Sequence, residues 1–223
     1  MDKLVRKIEI PLAKKAIEKA GLYIVQEKDL DRLAEVAADA YQDYPLHNWF
    51  MGDKYDEVAS KLLMQISLKT MTKDAVIYAD SEEINGFAAW LPFGFTGNKA
   101  IPFLLSGGLK LIFHSGLGII NRLSAYEDYA MGLKKEYTDN YDWYLFNLSI
   151  KKDAQGKGIA SKLMRPMLQF CDDERMVAYL ETNKEGNVGL YQHYGFDLVK
   201  KEQILKSNVM HYAMVRKPIY KEG

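Results

Sequence analysis

The chain has 223 residues, of which 48% are apolar, and its 30 acidic side chains balance 30 basic ones. The apolar share is large enough for a buried core, which excludes a disordered protein, and the neutral balance argues against a nucleic-acid partner. The single cysteine, Cys171, cannot form a disulfide within the chain, so we expect a cytoplasmic protein. No continuous apolar segment predicts a signal peptide or a membrane span, so we expect no membrane partner.

Hydrophobic periodicity and turn residues predict helices and strands along the whole chain. We expect a helical extension over residues 1–20 and an apolar insert over about 92–141, whose second half has helical spacing. The other predicted elements, in chain order, are a strand at 23–26, helices at 29–41 and 55–73, strands at 75–79, 84–91 and 143–150, a helix at 157–171, a strand at 176–182, a helix at 186–194, and strands at 196–204 and 208–215. They predict a single α/β domain over 1–223, with a core at about 22–216, in which helices cover both faces of a twisted, mixed, mostly antiparallel sheet.

A glycine-rich turn, Gln155-Gly-Lys-Gly-Ile-Ala160, lies between the predicted strand at 143–150 and the next helix. The first turn of a helix offers unpaired backbone N–H groups and the positive end of the helix dipole. Gly156 and Gly158 would let this backbone approach a ligand without a Cβ atom in the way. The turn therefore predicts a phosphate site, although its glycine spacing is not that of a nucleotide P-loop or a Rossmann turn. A surface turn in which glycine only relieves strain is the alternative.

Two motifs in this order resemble the GNAT superfamily of N-acetyltransferases. Gln155, Gly158 and Ala160 match its cofactor signature, Gln/Arg-x-x-Gly-x-Gly/Ala. The segment from Asn187 to Phe196 is similar to its second motif, if the tyrosine of that motif is Tyr191. The resemblance implies a GNAT-like fold and an acetyl-CoA-dependent N-acetyltransferase. In such enzymes a primary amine, here expected to belong to a small molecule, attacks directly in a ternary complex.

The same resemblance implies where acetyl-CoA would bind. Its pyrophosphate would lie on the glycine-rich turn, and its pantetheine chain would pair with the backbone of the preceding strand. Amide side chains near the start of the last motif helix would bond polar groups of the cofactor, and capping of that helix is the alternative. The implied cofactor-binding residues are Leu148, Ser149, Ile150, Gln155, Gly156, Lys157, Gly158, Ile159, Ala160, Ser161, Asn183 and Asn187.

Two residues are expected to carry the chemistry. Tyr191 matches the position of the superfamily's general acid, and a phenol with a pKa of about 10 can give its proton to a thiolate. Tyr194 is the rival for this role. Glu181, at the end of the strand at 176–182, is the candidate base for the amine. The alternatives to Glu181 are Glu127, Asp128, Asp142, His47 and direct loss of the proton to solvent.

The remaining side chains narrow the function further. Cys171 has helical spacing from Met164 and Met167, which indicates a buried structural cysteine. The four histidines are scattered without ligand spacing, so we predict no metal. The aromatic segments 41–50 and 93–113 are expected to bind an amine with a hydrophobic body. The alternative function is a non-catalytic CoA-binding module of the same fold, and a third possibility is a nucleotide-binding protein of another fold. We expect a monomer or a homodimer.

Overall fold

A computed structural model of the chain describes residues 2–52, 54–92, 100–138, 142–204 and 206–219, and within these ranges seven strands form one sheet. The strands are β1 (Tyr23–Ile24), β2 (Val76–Ala79), β3 (Gly86–Leu91), β4 (Asp142–Ile150), β5 (Val177–Thr182), β6 (Asp197–Gln203) and β7 (Met210–Arg216). Their order across the sheet is β1-β2-β3-β4-β5-β7-β6, and only β4 and β5 run parallel. This mixed, mostly antiparallel sheet confirms the predicted fold class.

The helices agree with the predicted ones except in the insert and at Pro45–Phe50, where the structure has a helix that the sequence does not predict. They are α1 (Asp2–Lys19), α2 (Leu30–Ala40), α3 (Pro45–Phe50), α4 (Glu57–Met71), α5 (Ala100–Phe103), α6 (Leu109–Ser115), α7 (Leu117–Thr138), α8 (Ile159–Asp173) and α9 (Gly186–His193), with a π-helical turn at Leu104–Gly108. The sequence predicts Tyr44-Pro45 only as the end of a helix, but Pro45 also begins α3. Proline is suited to the first position of a helix because the N–H it lacks would have no partner there.

Helices cover both faces of the sheet. Helices α1 and α8 pack on one face, α2 and α4 pack on the other, and α3, α6 and α7 form a further apolar cluster with the remaining side of α4. Cys171 of α8 is fully buried in the first of these layers, and burial raises the pKa of its thiol, which keeps the thiol protonated and unreactive. Within the described part of the chain, no helix has the length and apolar character needed to cross a membrane.

A bulge interrupts β4 at Phe146. This residue has no partner on β3, because the register shifts by one residue between Ala89 and Trp90. A bulge bends the strand that contains it. The parallel pairing of β4 with β5 ends just before the bulge, at Leu145 and Leu180. The last residues of β4 therefore diverge from β5, and a gap opens between the two strands.

A buried ion pair fixes the end of the insert to the sheet. The Nζ atom of Lys134 on α7 lies 2.8 Å from Oδ1 of Asp142 on β4, and the two side chains are 1% and 0% exposed. The Thr138 hydroxyl donates to the same oxygen at 2.8 Å. A buried charge requires a partner of this kind. Asp142, one of the candidate bases, therefore has a structural role.

We expect Lys134→Met to lower the free energy of unfolding by about 3–5 kcal/mol, because it leaves the Asp142 carboxylate buried without its cation. The double variant Lys134→Met/Asp142→Leu should recover most of this loss. Chemical denaturation followed by circular dichroism measures both effects. Lys135→Met, at the exposed neighbouring position, is the control and should change stability by less than about 0.5 kcal/mol. A Lys134→Met variant as stable as this control would contradict the role of the pair.

Candidate active site

The glycine-rich turn has the geometry of an anion site. Gly156 and Gly158 have φ angles of 75° and 80°, a left-handed conformation that glycine adopts without strain. Among the described residues, none accepts a hydrogen bond from the backbone amides of residues 156–161. The Gln155 side chain braces the turn by donating from Nε2 to the carbonyl oxygen of Ile150 at 3.2 Å. The turn thus presents free amides at the positive end of α8, an arrangement that suits phosphate.

The end of β4 presents free backbone groups beside this turn. The Lys151 amide donates to the Asn85 carbonyl at 2.9 Å, on the side of β3. Because an antiparallel strand alternates the direction of its backbone groups, Ser149 also faces β3, whereas Leu148 and Ile150 direct their N–H and C=O groups away from it. These two residues therefore border the gap between β4 and β5. A strand edge of this kind can pair with an extended ligand.

The turn and the end of β4 line a cleft of about 430 Å³, which we call the β4 cleft. The turn between α2 and α3, helix α9 and the residue that follows α9 contribute tyrosine side chains to its walls. The residues of the cleft that the sequence predicts as cofactor ligands are Leu148, Ile150, Gln155, Gly156, Gly158, Ile159, Ala160, Ser161 and Asn187. The cleft also contains Tyr41, Tyr44, Tyr191 and Tyr194.

Three other predicted cofactor ligands do not line the β4 cleft. The Ser149 side chain is buried and donates to Oδ1 of Asn147 at 2.8 Å. Lys157 is exposed, as expected for a side chain at the tip of a turn. Asn183 lies in a second cavity, where its Nδ2 atom donates to the carbonyl of Met210 at 2.9 Å. Asn183 does not cap α9 either, because that helix begins three residues later.

Tyr191 is the tyrosine of the β4 cleft whose hydroxyl group is available. Its hydroxyl has no hydrogen-bond partner among the described residues, and burial raises its pKa, so it keeps its proton. The Tyr194 hydroxyl instead lies 2.9 Å from the Ser161 hydroxyl. The chain reverses at Gly195, which has a φ of 86°, and this turn packs Phe196 against the Tyr191 ring at 6.1 Å. The Gly-Phe pair therefore fixes the position of the Tyr191 side chain.

A second, smaller cavity of about 140 Å³ lies beside the β4 cleft, and Tyr41 and Tyr44 line both. We call it the tyrosine pocket. The predicted acceptor segment 41–50 contributes to its wall, but the described part of segment 93–113 does not, and residues 93–99 lie outside the described residues. Helix α7 lines the pocket instead of the described part of segment 93–113. The other lining residues are Leu46, His47, Phe50, Leu63, Met64, Ser67, Leu123, Tyr126, Glu127, Tyr144, Phe146, Asn147, Glu181 and Asn183.

Hydrogen bonds hold the walls of the tyrosine pocket in place. Arg122 of α7 donates from Nε and Nη2 to the carbonyl of Phe50, at 3.0 and 2.8 Å, and so joins α7 to α3. The Tyr44 hydroxyl accepts from the Asn183 amide at 2.8 Å and lies 3.1 Å from the Thr182 hydroxyl. These bonds attach the Tyr44 side chain, which lines the pocket, to the end of β5.

Glu181 is the buried carboxylate of the tyrosine pocket, with a side chain that is 3% exposed. The Tyr179 hydroxyl donates to Oε1 at 2.8 Å, and those of Tyr126 and Tyr144 donate to Oε2 at 3.2 Å each. Burial raises the pKa of Glu181 to about 6, while the three hydroxyl donors oppose the rise by stabilising the charged form. At pH 7 the group is therefore mostly ionised, with a pKa close to the value suited to a general base.

The other candidate bases are less suited to this role. Burial lowers the pKa of His47 to about 3, so its ring is neutral, and its Nδ1 atom lies 3.4 Å from the Ser60 hydroxyl. Glu127 lines the pocket with an exposed side chain, and Asp128 is exposed and does not line it. The sequence gives no signal for the tyrosines around Glu181, because they come from two strands and the insert. In the described part of the chain, no three His, Cys, Asp or Glu side chains lie close enough to hold a metal ion.

Comparison with known proteins finds similarity to N-acetyltransferases. The family model of the acetyltransferase (GNAT) family matches residues 115–196, which include both the glycine-rich turn and α9. An uncharacterized N-acetyltransferase of Schizosaccharomyces pombe is 25% identical over 215 residues, which cover 87% of this chain and 82% of that protein. The chain therefore contains a segment, residues 115–196, that matches the GNAT family.

Solved structures of acetyltransferases share the fold of this chain. A Corynebacterium glutamicum protein, named histone acetyltransferase HPA2 and related acetyltransferase, has a TM-score of 0.62 at 17% identity, over 91% of this chain and 98% of its own. Arylalkylamine N-acetyltransferase 2 from Aedes aegypti has a TM-score of 0.56 at 19% identity, over 88% and 97%. At these identities the likeness concerns the fold, and it agrees with the GNAT fold that the sequence predicts.

We expect Tyr179→Phe to raise the pKa of Glu181 above its value of about 6, by roughly one unit, because it removes the nearest donor to the charged carboxylate. Carbon-13 NMR titration of labelled glutamate side chains measures the change, with Glu181→Gln to assign the signal. Tyr129→Phe is the matched control, since the Tyr129 hydroxyl bonds Glu202 instead. If the titration midpoint of Glu181 is the same in Tyr179→Phe and wild type, the Tyr179 hydroxyl does not stabilise the carboxylate.

Proposed function

We propose that this chain is a GNAT-type, acetyl-CoA-dependent N-acetyltransferase that acetylates the primary amine of a small molecule by direct attack in a ternary complex. The observation that carries the proposal is that the β4 cleft and the tyrosine pocket meet at Tyr41 and Tyr44. The β4 cleft has the donors for a phosphorylated, extended ligand. The tyrosine pocket has aromatic walls and the carboxylate of Glu181, which suit an amine.

The residues of the β4 cleft fit acetyl-CoA. The free amides of residues 156–161 and the left-handed glycines at 156 and 158 suit its pyrophosphate. The backbone groups of Leu148 and Ile150 suit the amide groups of its pantetheine chain, which can pair with a strand edge. Bound acetyl-CoA would supply an acetyl group activated as a thioester and a thiolate that can leave.

The tyrosine pocket favours a compact amine with an apolar body. Its volume of about 140 Å³ is below the range of about 300–1,000 Å³ typical of pockets for drug-sized ligands. Aromatic rings attract a cation through their faces, and the carboxylate of Glu181 attracts it more strongly. The similarity in fold to an arylalkylamine N-acetyltransferase supports an acceptor of this class.

Two residues of the chain would accept and donate the protons of the reaction. Glu181 would accept a proton from the ammonium group of the acceptor, which frees the nitrogen lone pair for the new C–N bond. Tyr191 would hold a proton at its hydroxyl for the sulfur atom that leaves when the C–S bond breaks. Because Glu181 lies in the tyrosine pocket and Tyr191 in the β4 cleft, the two proton transfers would involve different cavities, which share Tyr41 and Tyr44 in their lining.

The experiment that tests the proposal measures thiol release from acetyl-CoA with a panel of amines. We expect compact arylalkylamines and apolar monoamines to react fastest, and peptide amines to react slowly because they exceed the pocket. Calorimetric titration with acetyl-CoA, ATP and NAD accompanies the assay. Binding of ATP or NAD without acetyl-CoA would refute the cofactor assignment. Binding of acetyl-CoA without thiol release from any amine would instead indicate the non-catalytic module.

We expect Gly158→Asp to weaken acetyl-CoA binding about tenfold or more, because an aspartate strains a left-handed position and places a negative charge where phosphate would lie. Isothermal titration calorimetry measures the dissociation constant. Gly21→Asp is the matched control: Gly21 also has a left-handed φ of 73° and open space around its Cβ position, but it does not line the β4 cleft. Equal affinity in Gly158→Asp and wild type would rule out the phosphate assignment.

We expect Tyr191→Phe to lower kcat by about 100-fold or more and to leave the affinity for acetyl-CoA nearly unchanged, because only the acidic proton is lost. The thiol-release assay at saturating substrates gives kcat, and calorimetry gives the affinity. Tyr194→Phe serves as the comparison, since its hydroxyl is already bonded to Ser161, and it should retain most of kcat. If Tyr194→Phe shows the large loss and Tyr191→Phe does not, the acid is Tyr194.

A further inference from the structure

A histidine that has no part in the steps above lies beside Glu181. His211 on β7 is 0% exposed, and neither of its ring nitrogens has a hydrogen-bond partner among the described residues. Burying unpaired polar atoms costs free energy, so an apolar ring would suit a purely structural position better. The Nε2 atom of His211 lies 3.9 Å from Oε1 of Glu181.

The sheet register places three titratable side chains in one row. Glu181 of β5 faces Ala213 of β7, which is on the same face of the sheet as His211 because it is two residues away. Glu202 of β6 faces His211 directly. The row therefore runs from Glu181, in the tyrosine pocket, through the buried ring to Glu202, whose side chain is partly exposed.

Helix α7 covers this row with two tyrosines. The rings of Tyr126 and Tyr129 contact the His211 ring edge-on, with centroids 5.9 and 5.0 Å away. The Tyr126 hydroxyl donates to Glu181 at 3.2 Å, and the Tyr129 hydroxyl donates to Glu202 at 2.7 Å. The titratable groups around the ring are thus one carboxylate from β5, one from β6 and two phenols from α7. Both carboxylates are held in position by the tyrosines that enclose the ring.

We propose that His211 passes to Glu202, and so to solvent, the proton that Glu181 takes from the acceptor amine, which restores the Glu181 carboxylate for the next turnover. The proposal rests on the role of Glu181 proposed above. His211 does not line the tyrosine pocket, so it acts only through Glu181 and is a positioning residue, not a catalytic one.

The proton balance of this relay closes in each turnover. The neutral ring accepts the proton of Glu181 at one nitrogen and releases a proton toward Glu202 from the other, and rotation of the ring restores the starting tautomer. One proton enters the row from the amine and one leaves it to solvent. Burial lowers the pKa of His211 to about 4, so the ring is neutral at pH 7 and its protonated form in the relay is short-lived.

The test compares His211→Phe with wild type in the thiol-release assay. Phenylalanine retains the ring packing, so we expect an unchanged or raised thermal midpoint together with a kcat lowered about tenfold. The loss should be rescued by increasing concentrations of a small buffer base such as imidazole, and the solvent deuterium isotope effect on kcat should increase. Glu202→Gln should behave in the same way. Glu185→Gln, which removes an exposed carboxylate paired with Lys201 at 2.9 Å, should leave all of these quantities unchanged.

The possible failures can be told apart. If wild type is active and both His211→Phe and Glu202→Gln match it in kcat and isotope effect, the relay does not exist. A loss of kcat that no buffer rescues would assign His211 a structural role and also overturn the relay. If His211→Phe does not fold, Glu202→Gln decides alone. Wild type that acetylates no amine would overturn the proposed function, and a fully active Glu181→Gln variant would overturn the role of Glu181.

Discussion

Both cavities depend on the point where β4 stops pairing with β5, at Leu145 and Leu180. Strands that remained paired would use their backbone groups for each other and leave no gap between them. The extra residue at Phe146 bends β4 away, so Leu148 and Ile150 keep free backbone groups beside the glycine-rich turn. Phe146 itself lies in the wall of the tyrosine pocket. One irregularity in one strand thus creates a border for each cavity.

The sequence predicts those parts of the site that depend on neighbouring residues in the chain. A strand, a glycine-rich turn and a helix in immediate succession predict the left-handed glycine turn around Gly158, because the conformation of each residue there is set locally. The position of Tyr191 follows from the Gly-Phe pair that ends α9. The bounds of most strands and helices follow from the same kind of local periodicity.

The parts that the sequence does not predict depend on contacts between distant segments. Asp142 has the charge of a candidate base, but only the structure shows Lys134 buried against it. Glu181 is predicted at the end of its strand, whereas its three tyrosine donors come from α7 and two strands. His211 is one of several scattered histidines until the register of β5, β6 and β7 places it between two carboxylates. Asn183 is predicted as a cofactor ligand because it lies near the start of the last motif helix, and only the structure shows its side chain bonded to a carbonyl of β7.

The two halves of the site come from different parts of the chain. The β4 cleft is built around β4, α8 and α9, whereas α3 and α7 supply much of the tyrosine pocket and are joined to each other through Arg122 and Phe50. Substitutions in α3 and α7 can therefore alter the shape of one cavity without touching the other. Under the proposed function, such a chain is able to explore new acceptors in evolution while its cofactor affinity stays constant, so divergence within its relatives should concentrate in these two helices.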